Sequence, residues 1–249
     1  MLPLRDVNPT RIRPLLTWAI IAANLAVFFL VQPWDDPEAA LEFTYENAAI
    51  ACELTTGDPL EPQEVGGPCL DEQAADPIFP DKNVPLSALV SMFLHGGLAH
   101  LGFNMWSLWI FGNNVEEAYG RVGYALLYLV TGIAATVGFV AVNPELTVPL
   151  VGASGAIAGV MGAYLVLFPR HLVMTLVIFR IVAIPAVAFL GIWFLSQFLL
   201  SSDAGEIAWE AHVAGFVAGA LITLPFRRRL LGNTLEGERR REPDAFGRI

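Results

Sequence analysis

The sequence predicts an all-α membrane protein, a bundle of six transmembrane helices with both termini in the cytoplasm. Three observations predict it. Of 249 residues, 55% are hydrophobic and only 15% charged, with a mean hydropathy of +0.56. Soluble domains carry about a quarter charged residues, so this chain lacks the polar surface to stay in water alone. Six segments offer roughly the 20 mainly apolar residues that cross a bilayer: Leu15–Gln32, Leu86–Phe111, Val122–Val142, Val151–Phe168, Ile181–Leu200 and Ile207–Phe226. The basic residues alternate with them. Arg5, Arg11 and Arg13 precede the first segment, Arg121 lies between the second and third, and Arg170 and Arg180 between the fourth and fifth. Arg227, Arg228, Arg229, Arg239, Arg240, Arg241 and Arg248 follow the sixth, and only Lys82 falls on the other side. Basic loops stay in the cytoplasm, which places both termini there.

Taken in order, residues 1–14 form a short cytoplasmic segment. The first span follows basic residues as a signal peptide would. Val31-Gln32-Pro33-Trp34 offers no small-residue cleavage site, so an uncleaved anchor is expected. Residues 33–85 form a long exterior connection inside a six-span domain of residues 15–226. Thirteen of the 24 acidic residues lie between Asp35 and Asp81, so the net charge of −10 belongs mostly to this loop. It reads as a solvated acidic loop, with a short helix near Pro37–Ala51 and an irregular Asp58–Pro80. Cys52 and Cys69 both fall in it. In an oxidising compartment they can bridge, for about 3 kcal/mol by loop entropy. Two cysteines without neighbouring histidines argue against zinc, and the lack of a basic stripe argues against nucleic acid as a partner. His171–Arg180 is apolar enough to lie along the membrane surface. Residues 227–249 form a basic, then polar, cytoplasmic tail. No inverted repeat of the transporter kind is evident.

The chemistry sits in three spans. The fourth opens Gly152-Ala153-Ser154-Gly155, and at about 100° per residue Ser154, Gly155, Ala158, Gly159 and Gly162 share one face. In the sixth, His212, Gly215 and Gly219 line up at i, i+3 and i+7. Small residues so spaced let membrane helices approach closely, and packing the two faces brings Ser154 to His212. A serine in such a face is ordinary, and a histidine in a span can be a proton relay or a packing residue. The pair at matching depth says more than either alone. In the second span His100 and Asn104 stand at i, i+4 on one helix face, suited to donate to an oxyanion or to bond another helix.

His95…His100-x-x-x-Asn104, Gly-x-Ser-Gly at Gly152–Gly155, and Ala211-His212-x-x-Gly215-x-x-x-Gly219 together resemble the rhomboid family of intramembrane serine proteases, over essentially Leu15–Phe226. The resemblance implies a Ser154–His212 dyad: nucleophile, and general base then acid. Asn104, His100 and the Ser154 backbone N–H would line the oxyanion hole. Independently, no carboxylate shares the His212 face; Glu210, two residues earlier, points about 200° away. The family often carries an aromatic one turn after the nucleophile to pack on the histidine. Ala158 stands there instead, leaving the support of His212 unexplained. Glu116 resembles a family position near the cytoplasmic end, and equally reads as a charged interface residue. His95 is expected to hold a structural hydrogen bond.

By the same resemblance, substrate enters past the fifth span, with Trp193, Phe194 and Phe198 as candidate gate residues and Ser201–Glu210 as a cap. Lipid-facing packing explains these aromatics as readily. The expected partners are membrane lipid and single-pass proteins, cut in or near their transmembrane segments. Local unwinding, eased by Gly, Pro or small residues, must expose the bond. No metal or organic cofactor is implied. Two rivals stand: a catalytically silent relative that binds transmembrane segments, and a transporter with these polar residues along its path. The short N-terminus and compact plan point to a bacterial plasma membrane.

Overall fold

The computed structural model describes residues 1–70, 75–199 and 208–234. The chain opens with a strand, β1 (Leu2–Asp6), and a helix, α1 (Leu15–Leu30). The long connection that follows carries α2 (Pro37–Asn47), a two-residue strand β2 (Ala49–Ile50) and α3 (Ala51–Thr56). Next come α4 (Val84–Val90), a 3-10 turn (Ser91–Phe93) and a long helical stretch α5 (Leu98–Val142). α5 is two helices joined at Gly120, whose φ of 68° and ψ of 166° are not helical and favour glycine. A short strand β3 (Pro149–Leu150) leads into α6 (Ser154–Leu167), which is followed by β4 (Leu172–Val177), β5 (Arg180–Pro185) and α7 (Ala186–Leu199). The last described helices are α8 (Trp209–Thr223) and, after a 3-10 turn, α9 (Arg227–Leu231).

The molecule is mostly helical, and a helix falls within or across each of the six apolar segments. Leu98–Val142 and Trp209–Leu231 are by themselves long and apolar enough to cross a bilayer. Several boundaries differ from expectation. Leu86–Phe111 is not one helix: the 3-10 turn and Gly96-Gly97 interrupt it, and the long helix starts at Leu98. His171–Arg180 does not lie flat as a single segment. Its β-branched, apolar residues pair as a hairpin in which β4 bonds β1 on one side and β5 on the other, all antiparallel. Ile181–Pro185, expected to begin the fifth span, is therefore strand, and the helix starts only at Ala186. Two small sheets thus qualify the all-α expectation. The cap at Ser201–Glu210 lies, for residues 201–207, outside the described residues, as does the tail from 235 to 249.

α6 is the centre of the bundle. Every residue from Gly155 to Tyr164 is buried, the mark of a helix apolar all round and packed on all sides. α8 and the second half of α5 press against it through small side chains. A Cβ on Gly215 would collide with the Gly155 carbonyl oxygen, and one on Gly219 with that of Gly159. At the opposite end of α5's first half, the Glu116 carboxylate accepts from the backbone N–H groups of Leu16 (3.0 Å) and Thr17 (2.8 Å) and from the Thr17 hydroxyl. It thereby caps α1, whose first N–H groups have no partner within the helix. Glu116 is fully buried, not an exposed interface charge.

The segment between α1 and α4 carries helices and buried carboxylates, where a solvated acidic loop was expected. Asp36 caps α2 by accepting from Glu38 and Ala39 N–H groups, and Pro37 suits the first helical position. The helix ends at Asn47, before the expected Ala51. Cys52 and Cys69 form a disulfide beside Ile50 and Leu60. Glu53, Glu61 and Glu64 are buried. Glu64 accepts from the N–H groups of Glu61 and Leu70. Lys82 Nζ lies 2.6 Å from Glu53 Oε2 and 2.6 Å from the Tyr45 carbonyl oxygen. No helix or strand occurs among the described residues between α3 and α4.

Two predictions follow from buried charge. Lys82→Met leaves Glu53 buried without its cation, a loss of about 3–5 kcal/mol; thermal melting should fall sharply, and adding Glu53→Leu should restore much of it. Asp6 accepts from Asn114 Nδ2 (2.7 Å) and the Tyr164 hydroxyl (2.9 Å). Burial raises its carboxyl pKa to about 6, against smaller lowering by the Tyr164 bond. The folded state therefore favours the neutral acid. That advantage is present in full below about pH 4 and is lost as pH rises through about 6. Asp6→Asn should remove this component, at most about 3 kcal/mol, from melting curves recorded across that range.

Candidate active site

Ser154 is the first residue of α6, so its backbone N–H and the next ones lack partners within the helix. The turn before it needs glycine. Gly152 has a φ of 122°, its N–H donates to the Ser91 carbonyl oxygen at 2.9 Å, and a Cβ there would lie 2.8 Å from His100 Cε1 and Nε2. The same point is 3.4 Å from Ser154 Oγ. The His100 ring and the serine hydroxyl thus flank one glycine.

His212 lies in the first turn of α8. Its Nε2 is 2.8 Å from Ser154 Oγ, a hydrogen-bond distance. The glycine contacts between α6 and α8 set this approach, because only bare backbone lets the two helix starts come so near. His212 Nδ1 is 2.8 Å from the side-chain oxygen of Gln197 on α7. The Trp193 ring lies 6.1 Å from the imidazole, tilted by 36°. The surroundings of His212 that Ala158 left unexplained thus come from α7. Gln197 was not singled out from the sequence, although an amide in an apolar span was a signal that could have found it.

Asn104 is buried, and its Nδ2 has no hydrogen-bond partner among the described residues. It stands one turn after His100 on α5. The His95 ring sits 5.2 Å from that of His100, edge to face. The His95 backbone exchanges two hydrogen bonds with the Gln32 amide. Trp193 and Phe194 pack on Phe216 of α8 at 5.8 and 5.0 Å. Phe198 meets Phe194 and Trp209. These aromatics form a seam between α7 and α8.

The segment between α1 and α4 is tied to the turn before Ser154. β2 pairs with β3, the Cys52 N–H donates to the Leu146 carbonyl oxygen, and the Ala49 N–H donates to Ser91 Oγ at 2.6 Å. Ser91, through its carbonyl, holds Gly152. A hydroxyl at a helix start, bonded to an imidazole that a third side chain touches, is an arrangement able to do nucleophilic acyl chemistry.

A bundle of apolar helices with a hydroxyl–imidazole pair at the start of its central helix defines the class as a helical membrane protein. The rhomboid domain matches residues 83–229, more than half of the chain, and the chain belongs to the rhomboid family. It is similar to the rhomboid protease GluP of Bacillus subtilis, at 35% identity over 153 residues, 59% of this chain and 29% of that protein. It also resembles the mitochondrial rhomboid protein 1 of Saccharomyces cerevisiae, at 31% over 168 residues, 66% of this chain and 46% of that one. The rhomboid protease AarA of Providencia stuartii matches at 27% over 162 residues, 55% of this chain and 54% of that protein. The chain spans less than half the length of the first two. Mitochondrial and chloroplastic relatives occur beside bacterial ones, so the expected bacterial plasma membrane gains no support.

Gly152→Ala is expected to strain the backbone by about 1–3 kcal/mol and to push the His100 ring from its place beside Ser154. Thermal melting checks the first, and an unchanged melting temperature would contradict it.

Proposed function

We propose that this protein is an intramembrane serine endopeptidase that cuts single-pass membrane proteins in or near their transmembrane segments. The observation that carries the reading is the 2.8 Å contact of Ser154 Oγ with His212 Nε2 at the start of a buried helix. In this reading Ser154 Oγ attacks the scissile carbonyl carbon while His212 Nε2 takes the hydroxyl proton. The Ser154 N–H, Asn104 Nδ2 and His100 hold the oxyanion of the tetrahedral intermediate. His212 then protonates the leaving amine, and water, deprotonated by the same imidazole, hydrolyses the acyl ester.

The membrane setting is part of the proposal: six spans, both termini cytoplasmic, and residues 33–85 outside. Leu126, Val130, Ile133 and Val137 form an exposed stripe along α5, suited to lipid and unsuited to water. α6 has 14 residues, about 21 Å of helix against a hydrocarbon core of about 30 Å. With Arg170 at the cytoplasmic surface, Ser154 stands below the outer one, reached by water through a cavity open to the exterior. Trp193, Phe194 and Phe198 line the side on which substrate enters. Gly, Pro or small residues at the cut favour local unwinding of the substrate helix.

Cleavage of a model single-pass substrate in liposomes tests the reading. Ser154→Ala and His212→Ala should each lower the rate by at least about 1000-fold with melting unchanged, and a serine-directed probe should label wild type at Ser154. Well-folded wild type that neither cleaves nor takes the probe would instead be a catalytically silent binder of transmembrane segments.

A further inference from the structure

We infer that Gln197 is the third member of this site, a positioning residue that fixes the His212 tautomer through a neutral amide; the inference deepens the protease reading and rests on it. Gln197 is 3% exposed, deep in an apolar helix where an amide without partners is costly. Both ends of its side chain are used. Nε2 donates to the Trp193 carbonyl oxygen at 3.1 Å and to Ser196 Oγ at 3.4 Å, and Oε1 faces His212 Nδ1 at 2.8 Å.

The directions of these bonds follow from what each atom can do. A backbone carbonyl oxygen only accepts, so the NH2 end of the amide must face Trp193 and the oxygen end must face the imidazole. Turning the amide over would set oxygen against oxygen at Trp193. An amide oxygen also only accepts, so Nδ1 must carry the proton. In neutral imidazole that leaves the Nε2 lone pair free for the Ser154 hydroxyl. When Nε2 takes the Ser154 proton, the resulting imidazolium keeps its Nδ1–H bonded to Gln197. The amide thus does the orienting work of a carboxylate without placing a formal charge in an apolar bundle. Trp193, on the same helix, closes over the ring at 6.1 Å. Because Gln197 rides on α7, displacement of α7 from α8 would separate it from His212.

The full chain in detergent and in liposomes tests this with Gln197→Leu and Gln197→Glu, beside wild type and Ser154→Ala. Gln197→Leu should lower kcat by about 10- to 100-fold, short of the roughly 10,000-fold that loss of a charged orienting partner can cost, with KM changed less than about twofold. Gln197→Glu, which restores an acceptor, should recover most of kcat. Nitrogen NMR of histidine-labelled protein, with the His212 signals assigned by their loss in His212→Gln, gives a readout independent of turnover. Wild type should show the Nδ1–H tautomer, and Gln197→Leu a mixture. An Nε2–H tautomer in wild type, or a well-folded Gln197→Leu protein whose kcat and tautomer are both unchanged, overturns the role of Gln197. Absence of cleavage and of Ser154 labelling in wild type would instead overturn the protease reading, while the tautomer measurement still decides that of Gln197. Should Gln197→Leu fail to fold, the tautomer in wild type and in Gln197→Glu remains decisive, since the amide and the carboxylate must both leave the proton on Nδ1.

Discussion

Two carbonyl oxygens of α6, those of Gly155 and Gly159, occupy the places where Cβ atoms would stand on Gly215 and Gly219 of α8. Everything at the site depends on that approach. The contact is backbone on backbone, so side chains at the helix starts meet at hydrogen-bond distance without long arms to span a gap. Ser154 needs only its one-carbon side chain to reach the imidazole. The second half of α5 fits the same groove with small groups: Ala135 lies against Gly155 and Thr131 against Gly159. Dispersion and close fit hold such a core, since between helices in lipid there is little hydrophobic drive to do so.

A short central helix has a consequence at its Ser154 end, where the chain enters it as irregular backbone. Backbone polar groups there need partners. The segment between α1 and α4 meets that need. Its strand β2 pairs with β3, Ser91 holds the Ala49 and Gly152 N–H groups through its hydroxyl and carbonyl, and a disulfide with buried carboxylates stiffens the segment. What looked like a spacer is a scaffold for the Gly152 turn.

Much of this was legible in the residues. Apolar runs marked where helices would lie, and the spacing of Gly155, Gly159, Gly215 and Gly219 marked the faces that meet. Other features were hidden for physical reasons. Leu172–Val177 reads as a surface segment and Ile181–Pro185 as part of a span, because apolar composition does not report that they pair with each other and with the distant strand Leu2–Asp6. Glu53, Glu61 and Glu64 look like solvated charges, because composition does not report the Lys82 ammonium or the backbone N–H groups that allow their burial. The helix that carries Gln197 gives no sign of the imidazole its oxygen meets. That partner lies 15 residues on, so a helical wheel could not find it. Ala158, read as a missing support, was a signal that support must come from elsewhere.

The three-stranded sheet gives α7 its register. β5 continues directly into α7 at Ala186, and β4 ties it to β1, which Asp6 in turn binds to Asn114 of α5 and Tyr164 of α6. The start of α7 is therefore referenced to the same two helices that carry His100 and Ser154. From Ala186 to Gln197 the helix rises about 16 Å, which carries the amide from the sheet to the level of the imidazole. Along its length α7 meets α8 through aromatic rings, at Phe194 on Phe216 and Trp193 on His212, not through the glycine backbone contacts that join α6 to α8. Ser154 and His212 thus stand on helices joined backbone to backbone, whereas Gln197 and Trp193 stand on a helix that the sheet anchors at its start and that meets α8 through side chains.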